Sequence, residues 1–531
     1  MNEFTHFKFD SEDHNHWEMT WREWMAVLGA ALGAFMAILD IQITNASLRE
    51  IQGSLGLDMS EGGWISTAYL IAEIIVIPLT GFLSEVFGMR RYIIVNCGLF
   101  IVASLLCGLS WNLHSMIVFR VFQGLVGGTL IPMAFQVMLL FMPKDKKPLG
   151  MAIFGFTATM APTLGPSLGG WLTDNYGWRL NFFINVLPGL LMIAAIRYGI
   201  PTEPMNLKKL KKMDLLGTLT LILGLGSLTY ILEDGDKVQW FDDPTIQIMT
   251  LVSVSALSIF LAAQILKKEP LLKLKLLLNH NFAIAAFITM IAGAALYGGI
   301  YALSLYLGQL QNYSATDVGS VMMWVGIPQL FVMPLLPFLM RRVDLRVLAG
   351  IGMLLFAASN FLNAHLDMDY GGDQFKFSLL IRALGQPLFM IPLSTIGMAL
   401  ISHEDTGDAS SIFNMLRNLG GSIGIAIAGT FVISRQDFHL RRMTEKLYDS
   451  NFQLNEKFRG IEMLMRQKGF DIPTAKLMAR RLVYGLAQKE SYIKAFSDIF
   501  FTLSVGLTLC FFLILLVRNV KDAGKNFELG E

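Results

Sequence analysis

The stretch GMAIFGFTATMAPTLGPSLGGWL, residues 150–172, is uncharged and long enough to cross a lipid bilayer as a single helix. Its small residues recur at every fourth position, namely Ala161, Gly165 and Gly169. This spacing places them on one helix face, where a neighbouring helix can approach closely. Pro162 and Pro166 lie on an adjacent stripe, where each removes a backbone donor and bends the helix. Two interpretations stay open: a packing seam between helices, or a gating helix beside a translocation path.

The composition of the 531-residue chain predicts an all-α polytopic membrane protein. Hydrophobic residues make up 54% and charged residues 16% of the chain, and the mean hydropathy is +0.52, which excludes an ordinary soluble enzyme. A net charge of +1 is far from the excess of positive charge that is typical of nucleic-acid-binding proteins, so no nucleic-acid partner is expected. No GxxxxGK[ST] loop is present, which argues against an ATP-driven pump. The three cysteines fall in apolar runs without metal or disulfide spacing, so neither a metal nor a cofactor is expected.

Fourteen apolar segments have the length of a membrane span. They cover residues 25–47, 63–84, 92–111, 114–141, 149–172, 180–200, 213–232, 245–266, 282–304, 316–340, 345–364, 376–401, 410–434 and 495–517. The predicted organisation is a cytoplasmic N-terminal segment 1–24, a first six-helix bundle 25–200, two inserted spans with their linkers 201–281, a second six-helix bundle 282–518 and a cytoplasmic tail 519–531.

The chain also repeats itself. The sequence RVFQG that begins at Arg120 is echoed by RALGQ at Arg382, and each is followed by a proline, Pro132 and Pro392. Two homologous bundles of six spans, with spans 7 and 8 inserted between them, explain this echo. Parallel repeats of this kind are typical of transporters whose halves rock around a central site.

Loop charges predict the orientation in the membrane. Five connections that lie on one side are basic: 85–92, 143–148, 201–212, 267–281 and 341–346. The alternate short connections carry few Lys or Arg, so the basic connections and both termini are expected in the cytoplasm.

The segment 435–494 is expected on the outer side although it is rich in Arg and Lys, because long loops translocate largely regardless of charge. Its helical periodicity, broken at Gly469 and Pro473, predicts a periplasmic helical hairpin that stands out of the membrane. A docking surface for a protein partner, a cap over the exit and a mere surface insertion stay open as its role.

Charged residues inside spans are expensive and mark candidate functional sites. Asp40 in span 1 and Arg120 in span 4 lie at similar depths from the outer side and can meet, and Arg382 is the counterpart of Arg120 in the second half. Glu73 lies near the middle of span 2, where a carboxylate can carry a proton. The alternatives are a static buried pair for Asp40 with Arg120, and a hydrogen-bonded structural carboxylate for Glu73.

The connection GFLSEVFGMRR, residues 81–91, combines glycines for a tight turn with clustered charge. Glu85 can pair with Arg90, with Arg91 or with a basic partner on the opposite bundle. Such a cluster predicts a cytoplasmic latch that closes one state of the transport cycle. Its predicted members are Gly81, Glu85, Gly88, Arg90 and Arg91.

Together these motifs resemble the major facilitator superfamily, and within it the fourteen-span drug:proton antiporter family of the EmrB/QacA type. The connection 81–91 is similar to the superfamily's GxLaDrxGrrr signature, with Glu85 in place of the usual Asp. Arg120-x-x-Gln123-Gly124 resembles the span 4 motif that the family ties to proton coupling. The antiporter motif of span 5 is resembled by Ala161, Pro162, Gly165, Pro166, Gly169 and Gly170. The segment 39–48 is similar to the span 1 motif LDxTIVNVALP, from which Gln42, Thr44 and Arg49 depart.

The resemblance implies a multidrug exporter of the bacterial inner membrane that is driven by proton influx and needs no cofactor beyond the proton gradient. Proton coupling is then assigned to Asp40, Glu73 and Arg120. The outer segment is similar to that of the EmrB-like subgroup, which implies a periplasmic adaptor (EmrA-like) and a TolC-like outer-membrane channel as partners.

Small lipophilic substrates are expected to bind in a central cavity between the bundles, and the lipid bilayer is expected to surround the protein. The polar and aromatic residues proposed to line the cavity are Gln42, Asn45, Gln136, Tyr297, Tyr301, Tyr306, Arg382 and Gln386. Three other functions stay open: a dedicated exporter of a metabolite such as a siderophore or a fatty acid, a non-transporting membrane sensor or scaffold, and facilitated uptake, which only the span 5 motif opposes. Intramembrane charge counts against the scaffold, which has no need of it.

Overall fold

The computed structural model describes residues 19–57, 59–143, 146–235, 238, 240–267, 270–448 and 452–518. Most of the predicted segment 1–24 and the whole predicted tail 519–531 therefore lie outside the described residues. Across the described ranges every regular element is a helix, which confirms the all-α fold class. The helices are α1 (Trp21–Ala46), α2 (Leu48–Leu55), α3 (Met59–Phe87), α4 (Met89–Gly108), α5 (Leu113–Gly127), α6 (Leu130–Phe141), α7 (Lys147–Tyr176), α8 (Leu180–Phe183), α9 (Val186–Gly199), α10 (Leu215–Asp234), α11 (Pro244–Leu266), α12 (His280–Gln309), α13 (Ala315–Val332), α14 (Leu336–Arg342), α15 (Leu345–Leu362), α16 (Gly372–Met398), α17 (Thr406–Tyr448), α18 (Phe452–Gln467) and α19 (Ile472–Ile514).

Thirteen helical stretches of the described chain are long and apolar enough to cross a membrane. The helix α7 is not among them, because its many glycine, proline and hydroxyl residues make it less apolar than the others. Its 30 residues nevertheless exceed the roughly 20 that a bilayer requires. With α7 the number of spans reaches fourteen.

Local sequence signals determine where several spans begin. Thr20 caps α1 by accepting a hydrogen bond from the backbone of Glu23, whose carboxylate in turn accepts from the backbone of Thr20. The same reciprocal capping box starts α13, with Ser314 and Asp317. These caps satisfy backbone N–H groups that would otherwise lack acceptors at a helix end.

Two bundles and an inserted helix pair make up the membrane part. The first bundle contains α1 to α9, and the second contains α12 to α17 with α19. In both bundles the first and fifth spans pack closely: there is no room for a Cβ at Gly165 of α7 against Gln42 of α1, or at Gly420 of α17 against Met290 of α12. The inserted pair α10–α11 packs against itself, and α10 also contacts α3 of the first bundle and α17 of the second.

The basic connections lie together at one end of the molecule, here called the basic end. Two contacts join such connections, Lys209 with Glu85 and Arg90 with Thr202, and Lys273 of a third connection binds Asp405 between α16 and α17. The opposite end holds the short connections and the outer segment, residues 435–494.

The outer segment is built from continuations of two membrane helices. The helix α17 runs on to Tyr448, and α19 begins at Ile472, well before the predicted start of the last span. Each has 43 residues and is therefore about 65 Å long, roughly twice the hydrocarbon thickness of a bilayer. Gly469, with φ of +92°, forms the turn after α18. Pro473 lies in the first turn of α19, where proline costs no backbone hydrogen bond, so it does not break a helix there.

Candidate functional site

A buried ion pair joins α1 and α5. Arg120 Nη1 donates to Asp40 Oδ2 at 2.7 Å, and both side chains are fully shielded from solvent. The sequence expectation that two charges at similar depth can meet is thus fulfilled in the geometry. Buried charges of this kind are tolerated only when they are paired and hydrogen-bonded.

Neutral donors complete the coordination of Asp40. Its Oδ1 accepts from Gln123 Nε2 at 3.0 Å and from Asn185 Nδ2 at 2.6 Å, and both amides also bind Ser104 Oγ. Asn185 reaches this position because the span α8–α9 breaks at residues 184–185. With three donors on it, the Asp40 carboxylate is fully hydrogen-bonded in its charged form.

The guanidinium of Arg120 contacts several neighbouring groups. Its Nε donates to the backbone oxygen of Ile65 at 3.1 Å, and the group stacks over the ring of Tyr69 at 4.3 Å. Nη1 also donates to Gln123 Oε1 at 2.8 Å. Only Nη2 finds no acceptor among the described residues. Nη2 of Arg120 is therefore a donor that can still accept a new partner into the Asp40–Arg120 network.

The second bundle keeps the arginine of the repeat but not its carboxylate. Arg382 on α16 is buried, donates from Nη2 to the backbone oxygen of Leu296, and stacks over Phe356 at 5.2 Å. Its Nε has no acceptor among the described residues. The two bundles are thus alike in shape and unlike in charge.

A cavity lies between the bundles and contains Glu73. It is lined by Ile38, Ile41, Gln42, Asn45, Leu70, Glu73, Ile74, Ile131, Tyr297, Asn418, Gly421, Ser422 and Ile425. The lining is mostly apolar, and Glu73 is the one acidic side chain in it. Its volume is about 60 Å³, whereas sites for drug-sized ligands are roughly 300–1,000 Å³. The cavity must therefore widen before it can hold such a ligand.

Glu73 connects the two bundles. It lies on α3, and its Oε1 accepts a hydrogen bond from Asn418 Nδ2 of α17 at 3.3 Å. The neighbouring Arg417 is buried, stacks over Phe154 at 5.5 Å, and leaves Nε and Nη2 without an acceptor in the described chain. Glu73 is thus held by one long hydrogen bond, in contrast to the three short ones on Asp40.

The span α5–α6 passes close to Glu73. It is interrupted at residues 128–129, and a Cβ at Gly128 would lie 2.9 Å from Cα of Glu73. One turn earlier, there is no room for a Cβ at Gly124 against the backbone oxygen of Tyr69. These glycines allow α5 and α3 to touch along their backbones, which places Arg120 and Glu73 on adjacent helices.

The helix α7 lies between the bundles and uses two faces. Gly165 and Gly169 pack on α1, where a Cβ at Gly169 would lie 2.9 Å from Cα of Ile43. On the other face, a Cβ at Gly319 of α13 would overlap the backbone of Ser167, and one at Gly326 would lie 2.9 Å from Thr163. The remaining residues of the motif, Ala161, Pro162, Pro166 and Gly170, are buried. The face on α1 fits the interpretation as a packing seam, and the face on α13 fits the interpretation as a gating helix. The two interpretations are therefore compatible.

The connection 81–91 closes the basic end. A Cβ at Gly81 of α3 would lie 3.1 Å from the backbone of Gly407 at the start of α17. Gly88 has φ of +79°, which favours glycine, and Arg90 donates to Thr202 at 2.6 Å. Arg91 lies beside Arg90 and is half-buried.

The partner of Glu85 differs from the prediction. Glu85 binds Lys209 at 2.8 Å, not Arg90, Arg91 or a residue of the second bundle. Lys209 lies in the 3₁₀ turn Leu207–Lys212, which leads into the inserted helices. Sequence reasoning missed it because the turn brings a distant lysine closer than the neighbouring arginines.

The structure brings only part of the predicted cavity set together. Gln42, Asn45 and Tyr297 line the cavity with Glu73. Gln136 is buried near Gly407 at the basic end. The other four, Tyr301, Tyr306, Arg382 and Gln386, lie within the second bundle and do not line the cavity.

Tyr306 shows why the prediction for these four fails. Its hydroxyl donates to the backbone oxygen of Tyr370 at 2.8 Å, so it is a buried anchor for the connection between α15 and α16. Helical periodicity does not reveal which polar face of a span meets the other bundle. Asn418, Ser422 and Ser104 were missed for the same reason, since hydroxyl and amide side chains are common in spans.

Comparisons with known proteins place this architecture. The profile of the Major Facilitator Superfamily matches residues 30–425. The colistin resistance protein EmrB of Acinetobacter baumannii is 32% identical over 517 residues, which cover 96% of this chain and 100% of that protein. The multidrug export protein EmrB of Escherichia coli K12 is 30% identical over 446 residues, which cover 83% and 86%. Among solved structures, the human organic anion transporter MFSD10 superposes with a TM-score of 0.58 at 14% identity and covers 93% of this chain and 99% of its own.

Proposed function

The chain belongs to the Major Facilitator Superfamily, and from this we propose that it is a proton-coupled exporter of hydrophobic and amphiphilic compounds across the inner membrane. The names of the similar EmrB proteins, a multidrug export protein and a colistin resistance protein, support export and resistance. Proton coupling and a periplasmic partner go beyond these names and rest on the charges and surfaces of this chain.

The observation that carries the proposal is the position of Glu73. It is the one acidic side chain in the lining of the cavity between the bundles, and its hydrogen bond to Asn418 crosses from one bundle to the other. A carboxylate in an apolar cavity attracts either a proton or a cationic substrate, and one bound species excludes the other. Competition for one carboxylate is the simplest physical basis for exchange of a substrate against a proton.

Asp40 and Arg120 have a supporting role in this proposal. Three donors hold the carboxylate of Asp40, so a change in its protonation state and a rearrangement of these hydrogen bonds accompany each other. Movement of α1 against α5 or α9 supplies such a rearrangement. Protonation of Asp40 and rearrangement of the first bundle are then linked events.

The proposed direction of transport combines the orientation in the membrane with the direction of proton flow. The basic end is assigned to the cytoplasm, with both termini there, because basic connections are retained on that side. Proton influx can then supply the free energy for export, since one charge crossing 100 mV contributes about 2.3 kcal/mol. In the described conformation the basic end is closed by the approach of Gly81 to Gly407, whereas Asn45 of the cavity lining is exposed toward the other end.

The outer segment is assigned as the docking surface for a periplasmic adaptor that leads to an outer-membrane channel. Its helices expose large apolar side chains beyond the membrane part, including Met463, Phe470, Leu477, Leu482, Tyr484 and Leu486. A soluble projection rarely exposes so many apolar groups without a partner.

The proposal is tested by substrate-driven proton movement in liposomes. The purified protein is reconstituted with a pH dye inside acidic vesicles, and lipophilic cations, acids and neutral compounds are added outside. Exchange should raise the internal pH when a substrate enters, and Glu73→Gln should abolish this rise. Asp40→Asn should slow it strongly.

Glu50→Gln, which neutralises an exposed carboxylate on α2, serves as the matched control and should behave as wild type. Equilibration of substrates without proton movement would show a facilitator and overturn the proposal.

A further inference from the structure

The inserted pair α10–α11 contacts both bundles at the end opposite the basic end. On the first-bundle side, Tyr230 of α10 stacks with Trp64 of α3, with ring centroids 5.5 Å apart. On the second-bundle side, Trp240 Nε1 donates to Thr430 Oγ1 of α17 at 3.0 Å. Trp240 has φ of +57°, a conformation that bulky residues rarely adopt. The connection between the inserted helices is therefore held against α17 at some backbone cost.

The two linkers of the insertion also reach both bundles at the basic end. Lys209, in the linker before α10, binds Glu85 of the first bundle at 2.8 Å. Lys273, in the linker after α11, binds Asp405 of the second bundle at 2.5 Å and lies 3.9 Å from Asp408. Each linker thus supplies one cation to one bundle.

Among the described residues that act on Lys273 and Asp408 at this contact, those that belong to the bundles are the carboxylates Glu85, Asp405 and Asp408. Glu85 is near enough to Asp408 and Lys273 to interact with both electrostatically, and the backbones meet beside them at Gly81 and Gly407. Without the linker lysines, closure of the basic end would bring carboxylates from opposite bundles together without the cations that now pair with them. Like charges held at close range oppose association.

We propose that the insertion acts as a strap across the α3–α17 seam, and that Lys209 and Lys273 are positioning residues that stabilise closure of the basic end. When the basic end opens, Glu85 moves away from Asp405 and Asp408, and the repulsion that the lysines offset is relieved. The insertion therefore tunes the balance between the two states of the transporter. This inference rests on the alternating opening in the proposed function, but it needs neither a particular substrate nor proton coupling.

The test measures opening directly, without substrate or gradient. Spin labels are placed on cysteines at Pro143 of the first bundle and Arg342 of the second, both exposed at the basic end, and their distance distribution is measured in nanodiscs. The buried native cysteines are replaced by alanine. The double variant Lys209→Glu with Lys273→Glu should increase the ratio of open to closed molecules about two- to thirty-fold, since an exposed ion pair corresponds to roughly a 1.4- to 5.4-fold change.

Matched controls separate the strap from general charge effects. Lys211→Glu and Lys275→Glu change exposed lysines of the same two linkers and should leave the distance distribution unchanged. The charge swap Lys273→Asp with Asp405→Lys should restore the closed population lost in Lys273→Asp. Raising the salt concentration should also favour the open state in wild type, because screening weakens exposed pairs.

Two results would overturn the inference. One is an unchanged distance distribution in the double variant and in high salt. The other is a charge swap that folds but stays as open as the single Lys273→Asp variant. Should the double glutamate variant fail to fold, the salt titration and the charge swap decide the matter. A failed transport assay with intact, salt-sensitive gating would instead count against the proposed function alone.

Discussion

At the scale of single residues, the site contains two carboxylates in different surroundings. Asp40 has an arginine and two amides on its oxygens, whereas Glu73 has one hydrogen bond of 3.3 Å and faces a cavity. A carboxylate so fully bonded belongs to the stable structure of the first bundle, and one so weakly bonded is available for exchange. We therefore propose Glu73 as the main exchange site and Asp40 as the group that responds to it.

This difference predicts how substitutions affect stability. Arg120→Leu leaves the Asp40 charge buried and unpaired and should lower the free energy of unfolding by about 3–5 kcal/mol. Asp40→Asn together with Arg120→Leu should recover part of this loss, because no buried charge remains. The measurement is thermal unfolding of the detergent-solubilised protein. A double variant less stable than Arg120→Leu would contradict the assignment.

At the scale of elements, α7 belongs to two contacts at once. Its glycine face packs on α1 inside the first bundle, and its Thr163–Ser167 face meets α13 of the second. The two prolines inside this helix, Pro162 and Pro166, each lack the N–H that would donate to the backbone oxygen four residues earlier. A helix so built can bend without disturbing its packing on α1.

The close approach to α1 predicts a strong response to one methyl group. Gly165→Ala has no room against Gln42 and should destabilise the protein by about 1–3 kcal/mol. Gly308→Ala in α12 meets nothing within 4 Å and should be neutral or slightly stabilising. Unfolding temperature and transport are measured for both variants. Equal stability of the two would show that α1 and α7 separate easily.

At the scale of the whole molecule, the basic end is closed and the cavity is narrow. The insertion touches both bundles at both ends, so the fourteen-span chain is not simply a twelve-span transporter with two helices at its edge. Opening of either end has to rearrange the contacts of the insertion. The equilibrium between the two states of this protein therefore depends on contacts among the two bundles and the insertion.

The ion pair of the strap also predicts a pH dependence. Partial burial alone would raise the pKa of Asp405, but hydrogen bonding and the charge of Lys273 outweigh it and hold the pKa below the usual 3.8. Burial alone would lower the pKa of Lys273, but Asp405, Asp408 and Glu85 raise it above 10.5. The stabilisation by the pair is therefore present between about pH 4 and pH 10.5. It is lost as the pH falls through the pKa of Asp405 or rises through that of Lys273.

A double-mutant cycle checks this window. The coupling between Lys273→Gln and Asp405→Asn in unfolding experiments should be about 0.2–1 kcal/mol, as for other exposed pairs. It should stay constant from pH 8 to pH 9, where Asp408, whose pKa burial raises to about 7, is also charged, and it should shrink in high salt. A coupling that changes sharply between pH 8 and pH 9 would show that a group other than Asp405 and Asp408 controls the contact.

Some features of the site followed from residue patterns alone. The meeting of Asp40 with Arg120 was predictable, because depth along a span follows from residue count and unpaired charges are not tolerated in lipid. The close packing of α7 followed from the four-residue spacing of its small residues. By contrast, Glu85 pairs with Lys209 and Tyr306 is a buried anchor, because both depend on which connections and faces happen to meet.

The sequence by itself determined that the chain is an all-α membrane protein of two related bundles, because span length, hydropathy and buried charge are local properties of each helix. The tertiary structure alone decided that Glu73 faces Asn418 of the other bundle, that the cavity is too narrow for a drug, and that the inserted helices reach both bundles. These facts depend on the rotation of each helix about its axis and on how the bundles meet. Such long-range packing arises from many weak contacts between distant residues, and no single stretch of sequence records it.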